Sequence, residues 1–194
     1  MGLAAVVLAG GAGRRLGGAV KPALPVAGQP MVSRVLAAVA DACPRIVVGP
    51  AALGVPPGVL LTREDPPGGG PVAGAAAGLA LVPPTVAEVA LLAADLPLLD
   101  AAAVAELRRT LAAGDWAAAV YVDRSGRRQN LCGVWRADAL RAALAGRVPV
   151  RGAAVRELFS GVRVAEVSWA GAGAPPWFDC DTDADLRRAQ EWAR

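Results

Sequence analysis

Apolar positions recur along this chain in two rhythms that take turns. Leu3 to Leu8 (LAAVVL) is a continuous apolar run, bounded by glycines and too short for an isolated helix, which predicts a strand covered on both faces. From Pro30 to Ala42 the spacing changes: Met31, Val32, Val35, Leu36 and Val39 fall on one helical face, with proline near the first turn. Arg45 to Gly49 reads again as a short buried strand, which completes a parallel β-loop-α-β unit within about fifty residues. The alternation continues through a strand at Val59 to Thr62, a small-residue helix opening at Pro71, a central strand at Val89 to Ala94 and a helix capped by Asp100. Ala117 to Val122 and Gln129 to Trp135 read as hairpin strands joined by the turn Asp123 to Arg128. Helices are predicted over Ala137 to Ala145 and Val150 to Phe159, strands over Val162 to Trp169 and Trp177 to Thr182, and a terminal helix over Asp183 to Ala193. Such alternation predicts an α/β fold, a Rossmann-like three-layer sandwich with a mostly parallel mixed sheet, formed by residues 1–194 as a single domain.

Composition narrows the chemistry more than the fold. The 194 residues include no histidine, which excludes Ser–His–Asp hydrolysis, histidine-ligated zinc and phosphohistidine chemistry. Catalysis must rest on carboxylates, cations and backbone. Cys43, Cys132 and Cys180 are widely spaced and lack a C-x-x-C pair, so neither a disulfide framework nor a zinc site is expected. The formal charge of +3 is mild and the arginines are scattered, while aromatic residues make up only 4%, so a small polyanionic substrate is expected and nucleic acid is not. With no apolar run of membrane-spanning length and no signal-type start, a cytoplasmic protein without a membrane partner is expected.

The stretch from Leu8 to Pro25 carries the densest signal. Gly10, Gly11, Gly13, Gly17 and Gly18 let backbone amides approach an anion that a Cβ would hold away. Arg14, Arg15 and Lys21 add charge, and Lys21 is the only lysine among twenty basic residues. An ammonium can follow a phosphate as its geometry changes, where a guanidinium is a rigid fork. The Walker loop does not fit, because Lys21 is followed by Pro22, and the dinucleotide fingerprint fails where Leu16 replaces its third glycine. A second glycine-rich turn, PPGGGP, follows Glu64 and Asp65; a carboxylate there suits the N1–H and amine of guanine, and a solvated polar loop is the other reading. Asp95 directly follows an apolar strand, where open α/β sheets gather ligands and where a carboxylate needs a partner such as magnesium. Arg127, Arg128, Gln129 and Asn130 offer donors for the phosphate and heterocycle of an acceptor, although a solvated turn explains the arginines equally well. Residues 147–160 make a lid candidate that would bring Arg151 and Arg156 to an anionic acceptor. At the C-terminus, Thr182 and Asp185 have capping spacing, which leaves Asp181 to point into a site.

Taken together, these residues resemble the nucleotidyltransferases of the nucleotide-diphosphosugar transferase-like group. Leu8, Ala9, Gly10, Gly11, Arg15, Gly17, Lys21, Gly28 and Pro30 match the group's L-A-G-G-x-x-x-R-x-G, lysine and G-x-P signature, and the Gly-Gly form is most similar to molybdenum cofactor guanylyltransferases. Asp95-Leu96-Pro97 matches the family's metal-binding A-D-x-P context, and Asp179, Asp181, Thr182, Asp185 and Leu186 match its closing motif. The resemblance implies transfer of GMP from GTP to molybdopterin with Mg²⁺, or Mn²⁺, held by Asp95 and Asp181. It implies catalytic roles for Lys21, Arg15 and Asp95, nucleotide contacts from Leu8, Ala9, Gly10, Gly11, Lys21, Asp65 and Asp95, and protein partners that deliver or receive the cofactor. Asp181 stands where guanylyltransferases often carry asparagine, a form shared with cytidylyl-transferring relatives, so CMP transfer to the same acceptor and nucleotide transfer to a sugar phosphate stay as alternatives. A nucleotide-binding regulatory module is the alternative outside enzymes; intact Lys21, Asp95 and Asp181 weigh against it.

Overall fold

Every one of the six residues of β1 (Leu3–Leu8) is buried, because this strand has neighbours on both sides and helices over both faces. The structure is a computed structural model that describes residues 2–10, 20–146, 151–171 and 173–194. In chain order the elements after β1 are the two-residue strands β2 (Pro25–Val26) and β3 (Gln29–Pro30), α1 (Met31–Ala38), β4 (Arg45–Val48), β5 (Val59–Thr62), α2 (Pro71–Leu79) and β6 (Glu88–Ala93). There follow α3 (Ala101–Ala112), β7 (Ala118–Val122), β8 (Arg128–Arg136), α4 (Ala137–Ala145), β9 (Val164–Ser168) and α5 (Asp183–Trp192).

Seven strands form one sheet in the order β5-β4-β1-β6-β8-β7-β9, and β8 alone runs antiparallel to its neighbours. This is the expected α/β sandwich. From β1 the chain steps outward to β4 and β5, then crosses back to place β6 on the other side of β1. The topological switch therefore lies between β1 and β6, whose ends are in register at Leu8 and Ala93. Open α/β sheets bind ligands outside such a crevice. Because β8 is reversed, its first residues lie at the same sheet edge: Cys132 pairs with Leu92, so Arg128 to Leu131 continue toward the side where β6 ends.

Apolar residues of α1 and α3 pack on one sheet face, with Val35 and Leu107 fully buried, while those of α2 and α4 pack on the other, with Val72 and Leu140 fully buried. The small-residue composition of α2 has a direct cause. A Cβ on Gly78 would stand 2.4 Å from Val6 Cγ1 and 3.0 Å from Val48 Cγ2, so the helix sits closer to β1 and β4 than any side chain at that position permits. This approach brings the start of α2, and the glycine turn before it, over the ends of those strands.

Three predicted elements differ. The helix expected over Pro30 to Ala42 ends at Ala38; Val39 has φ −119° and ψ 34°, and tight turns bring Val39 and Ala42 into the core without continuing the helix. The helix expected over Val150 to Phe159 is a short 3₁₀ segment at Val155–Phe159, because Gly152 has φ 76°; residues 147–150 lie outside the described residues. Trp177 to Thr182 is not a strand. Its groups are taken up one by one: Trp177 packs on Tyr121, the Phe178 amide donates to the Pro175 carbonyl, the Cys180 amide donates to the Asp95 carbonyl, and Thr182 caps α5.

Candidate active site

Asp95 follows β6 by two residues and is fixed on both flanks. Leu96 and Leu99 are each only 4% exposed and anchor the turn in the core, and Asp100 caps α3 by accepting from the Ala103 amide at 2.8 Å. From α1, the Arg34 Nε donates to the Pro97 carbonyl at 2.6 Å. That bond spans 63 residues of sequence, and no local pattern announces it. It ties the loop carrying Asp95 to α1.

Lys21 opens a short 3₁₀ turn, Lys21–Ala23, in which its carbonyl accepts from the Leu24 amide and Pro22 is buried. The hairpin β2–β3 then leads directly into α1, and Val26 and Met31 form a satellite core with Cys180 and Ala189 of the C-terminal segment. This small core decides where the last acids go. Thr182 and Asp185 form a reciprocal capping box at the start of α5, as their spacing predicts, and the Cys180 amide is tied to the Asp95 carbonyl at 3.3 Å.

The Lys21 ammonium thereby donates to Asp95 Oδ2 and, at 2.8 Å, to Asp181 Oδ1. The two carboxylates lie 74 and 160 residues from the lysine in sequence. The Lys21 and Asp95 side chains are 17% and 22% exposed, whereas Asp181 is 55% exposed and faces the approach from solvent. Burial by itself would lower the ammonium's pKa, but its hydrogen bonds to Asp181 and Asp95 and their charges outweigh that and raise it. Lys21 is therefore a cation throughout the neutral range. Asp179 completes the acidic group; partial burial first, and then the charges of Asp181 and Asp95, push its carboxyl upward. Its position in the closing motif was the only sequence signal for it.

Leu8 and Ala9 are buried at the end of β1, where the Ala9 amide donates to the Val48 carbonyl at 2.8 Å, and a Cβ added at Gly10 would meet nothing within 4 Å among the described residues. Gly11 and Arg15 lie outside the described residues. Asp65 is exposed on the turn beyond β5, two strands from β1, while Glu64 is used internally as the acceptor for the Gly68 amide at 3.0 Å.

On the far side of the switch, a cleft of about 540 Å³ is lined by Arg127, Arg128, Asn130 and Arg156, with Val155 and Phe159 beneath them. Four of the six residues expected to meet the acceptor thus converge, and Arg151 is not among the residues that line the cleft. Gln129 is turned instead to Asp123 and the Arg127 carbonyl, both at 3.2 Å. Asp123 organises the whole turn, accepting from Ser125 and from the Arg127 amide, and Arg128 is paired with Glu166 at 2.6 Å. The segment that leads into the cleft-lining Ala154 also touches the glycine-rich turn, because the Gly152 amide donates to the Gly69 carbonyl at 2.8 Å. Among the described residues no group of three or more acids and cysteines is arranged as a ready metal cage, and no helix is long and apolar enough to cross a membrane.

One sheet edge therefore carries, in strand order, an acidic turn after β5, Ala9 and Gly10 after β1, a lysine–carboxylate cluster after β6 and a cationic cleft at the start of β8. The model of the MobA-like NTP transferase domain matches residues 5–164. A molybdenum cofactor guanylyltransferase of Bradyrhizobium sp. (strain ORS 278) is 32% identical over 97% of this chain and 92% of its own length. Among solved structures, molybdopterin-guanine dinucleotide biosynthesis protein A from Archaeoglobus fulgidus superimposes with a TM-score of 0.74 at 19% identity, covering 96% of each chain. A Mycobacterium tuberculosis H37Rv protein crystallised with manganese superimposes with a TM-score of 0.70 at 21% identity, over 98% of this chain and 99% of that one. The chain belongs to the MobA-like NTP transferase family and is a nucleotidyltransferase, similar in sequence to molybdenum cofactor guanylyltransferases.

Proposed function

We propose that this protein transfers GMP from GTP to molybdopterin, releasing pyrophosphate. The observation that carries the reading is the meeting of Lys21, Asp95 and Asp181 at the switch point of the sheet, between the turn that bears Asp65 and the cleft lined by Arg127, Arg128, Asn130 and Arg156. The names of the relatives supply the nucleotide and the acceptor.

An acceptor phosphate is already anionic, so in-line attack on the α-phosphorus needs no histidine base. What the chain must supply is orientation and neutralisation of charge. Backbone amides after β1, with Arg15, cradle the triphosphate; Lys21 stabilises charge on the phosphoryl oxygens; the arginines of the cleft orient the acceptor; and Asp65 accepts from the guanine edge. Asp95 and Asp181 fit a hard divalent cation, since both already direct carboxylate oxygens at one positive charge, and Mg²⁺ takes one or two carboxylates and completes its shell with phosphate oxygens and water. Such an ion, Mg²⁺ or Mn²⁺, adds Lewis-acid neutralisation of the phosphates.

The test is pyrophosphate release from GTP, CTP, ATP and UTP with Mg²⁺, with and without molybdopterin. GTP with molybdopterin is expected to be the productive pair, and Asp95→Asn is expected to lose on the order of a hundredfold or more in kcat with the fold intact. Preference for CTP would replace this reading by cytidylyl transfer, which the aspartate at position 181 favours; native turnover by Asp95→Asn would remove Asp95 from the metal site.

A further inference from the structure

The ammonium of Lys21 occupies the same carboxylate oxygens that the proposed function gives to the metal. It contacts Asp95 Oδ2 and Asp181 Oδ1 together, and the Lys21 and Asp95 side chains are largely shielded from solvent, so a divalent cation reaching the Asp95 oxygen would meet a like charge at hydrogen-bonding range with little water to screen it, while at the more exposed Asp181 the repulsion is better screened. The two cations compete. The backbone at Lys21 is held on its C-terminal side, where Pro22 is buried and the Leu24 amide donates to the Lys21 carbonyl at 3.0 Å. The four-carbon stem supplies the rotation that moves the ammonium. For the ammonium to leave, it needs another anion within reach, and a triphosphate brings both that anion and extra oxygen ligands for the metal.

We propose that Lys21 is an internal counter-ion that keeps divalent metal off Asp95 and Asp181 until a nucleoside triphosphate draws the ammonium away, so that metal and nucleotide bind with strong mutual dependence. This rests on the assignment of Asp95 and Asp181 as metal ligands under the proposed function. It deepens that assignment by giving Lys21 two successive partners: the carboxylates before nucleotide arrives, and the phosphates afterwards. Lysine suits this exchange as a compact, rotatable charge; a guanidinium holding two carboxylates in a fork would release them less readily.

The test measures Mn²⁺ binding by electron paramagnetic resonance in wild type, Lys21→Gln, Lys21→Arg and Asp95→Asn, with Mn²⁺ alone and with Mn²⁺ plus the α,β-methylene analogue of GTP or of CTP. Wild type and Lys21→Arg are expected to bind Mn²⁺ alone weakly, and Lys21→Gln about tenfold more tightly or better, since one positive charge has left the two oxygens. Adding the analogue is expected to tighten Mn²⁺ binding strongly in wild type and much less in Lys21→Gln. Thermal melts check the same point: Mn²⁺ alone raises the Tm of Lys21→Gln and leaves that of wild type unchanged. Equal affinity of wild type and Lys21→Gln for Mn²⁺ alone overturns the proposal while leaving the metal assignment standing, provided Asp95→Asn lowers Mn²⁺ binding with the analogue. If Asp95→Asn binds Mn²⁺ as wild type does, the metal assignment falls and the counter-ion with it. The choice between guanine and cytosine does not enter, because either analogue supplies the phosphates.

Discussion

Substitution of two glycines one turn apart on α2 separates close packing from simple helix propensity. At Gly78 an added Cβ meets Val6 Cγ1 at 2.4 Å, Val48 Cγ2 at 3.0 Å and Val6 Cγ2 at 3.3 Å. Both valines are buried and branched at Cβ, in adjacent central strands, so neither can swing aside. Relief requires α2 to move outward, and overpacking of this kind costs ~1–3 kcal/mol. The helix-propensity gain of alanine over glycine, ~1 kcal/mol, offsets part of it. Contacts this short on rigid partners put the packing cost in its upper half, which leaves Gly78→Ala less stable by about 1–2 kcal/mol and lowers Tm by about 3–6 °C. At Gly74 the new Cβ meets Leu8 Cδ2 at 3.4 Å and Val48 Cγ1 at 3.7 Å, ordinary contact distances. There the propensity term is unopposed, and Gly74→Ala is expected to gain about 0.5–1 kcal/mol. Urea denaturation of both variants decides the matter, with equal m-values required for the comparison. Because an outward shift of α2 moves the turn that ends at Gly70, Gly78→Ala is also expected to raise the nucleotide KM, with little effect from Gly74→Ala. A Gly78→Ala protein as stable as wild type would refute the close-packing account, and so would a Gly74→Ala protein that is the less stable of the two.

The remaining predictions concern the supports of the site. Thr182→Ala removes the side chain that accepts from the Asp185 amide and is expected to cost ~1 kcal/mol of stability, read by thermal melting, and to lower kcat by loosening Asp181; unchanged values for both would mean that the cap does not position the acid. Arg34→Ala leaves the Pro97 carbonyl without its donor and is expected to destabilise by ~1–3 kcal/mol and to reduce kcat more than it raises the nucleotide KM, because its effect reaches the site through Asp95; a pure KM change in steady-state kinetics would contradict this. Burial pushes the thiols of Cys132 and Cys180 up to about 12, with the Asp95 charge adding to the effect at Cys180, so at about pH 8 only around one in ten thousand of either is thiolate. Reactivity toward iodoacetamide is expected to be confined to the exposed Cys43 in the folded protein and to reach all three cysteines on unfolding; fast labelling of Cys180 in the native state would show that the C-terminal segment opens.

The sequence alone determined whatever depends on neighbours a few residues apart. The apolar run of β1, the periodicity of α3 and α4, and the caps at Asp100 and Thr182 are local interactions written in local spacing, and the structure reproduces them. The hairpin of β7 and β8 was legible for the same reason, since its two strands and their turn are consecutive. Matching motifs also singled out Lys21, Asp95 and Asp181 one at a time. Only the tertiary structure decided that their side chains meet, because those contacts close loops of 74 and 160 residues and leave no trace in periodicity. The same holds for Arg34 on Pro97, for the Gly152–Gly69 bond and for the close seat of Gly78 on Val6. Trp177 to Thr182 shows the limit most directly. Its apolar and acidic residues look like the end of a strand, yet with β7 already paired by β8 and β9, the segment finds its partners in Tyr121, the Asp95 carbonyl and the satellite core beneath β2 and α5. Alternation in a sequence records which side chains seek burial. Which strand edge or carbonyl is still available to receive them is settled only when the rest of the sheet has formed.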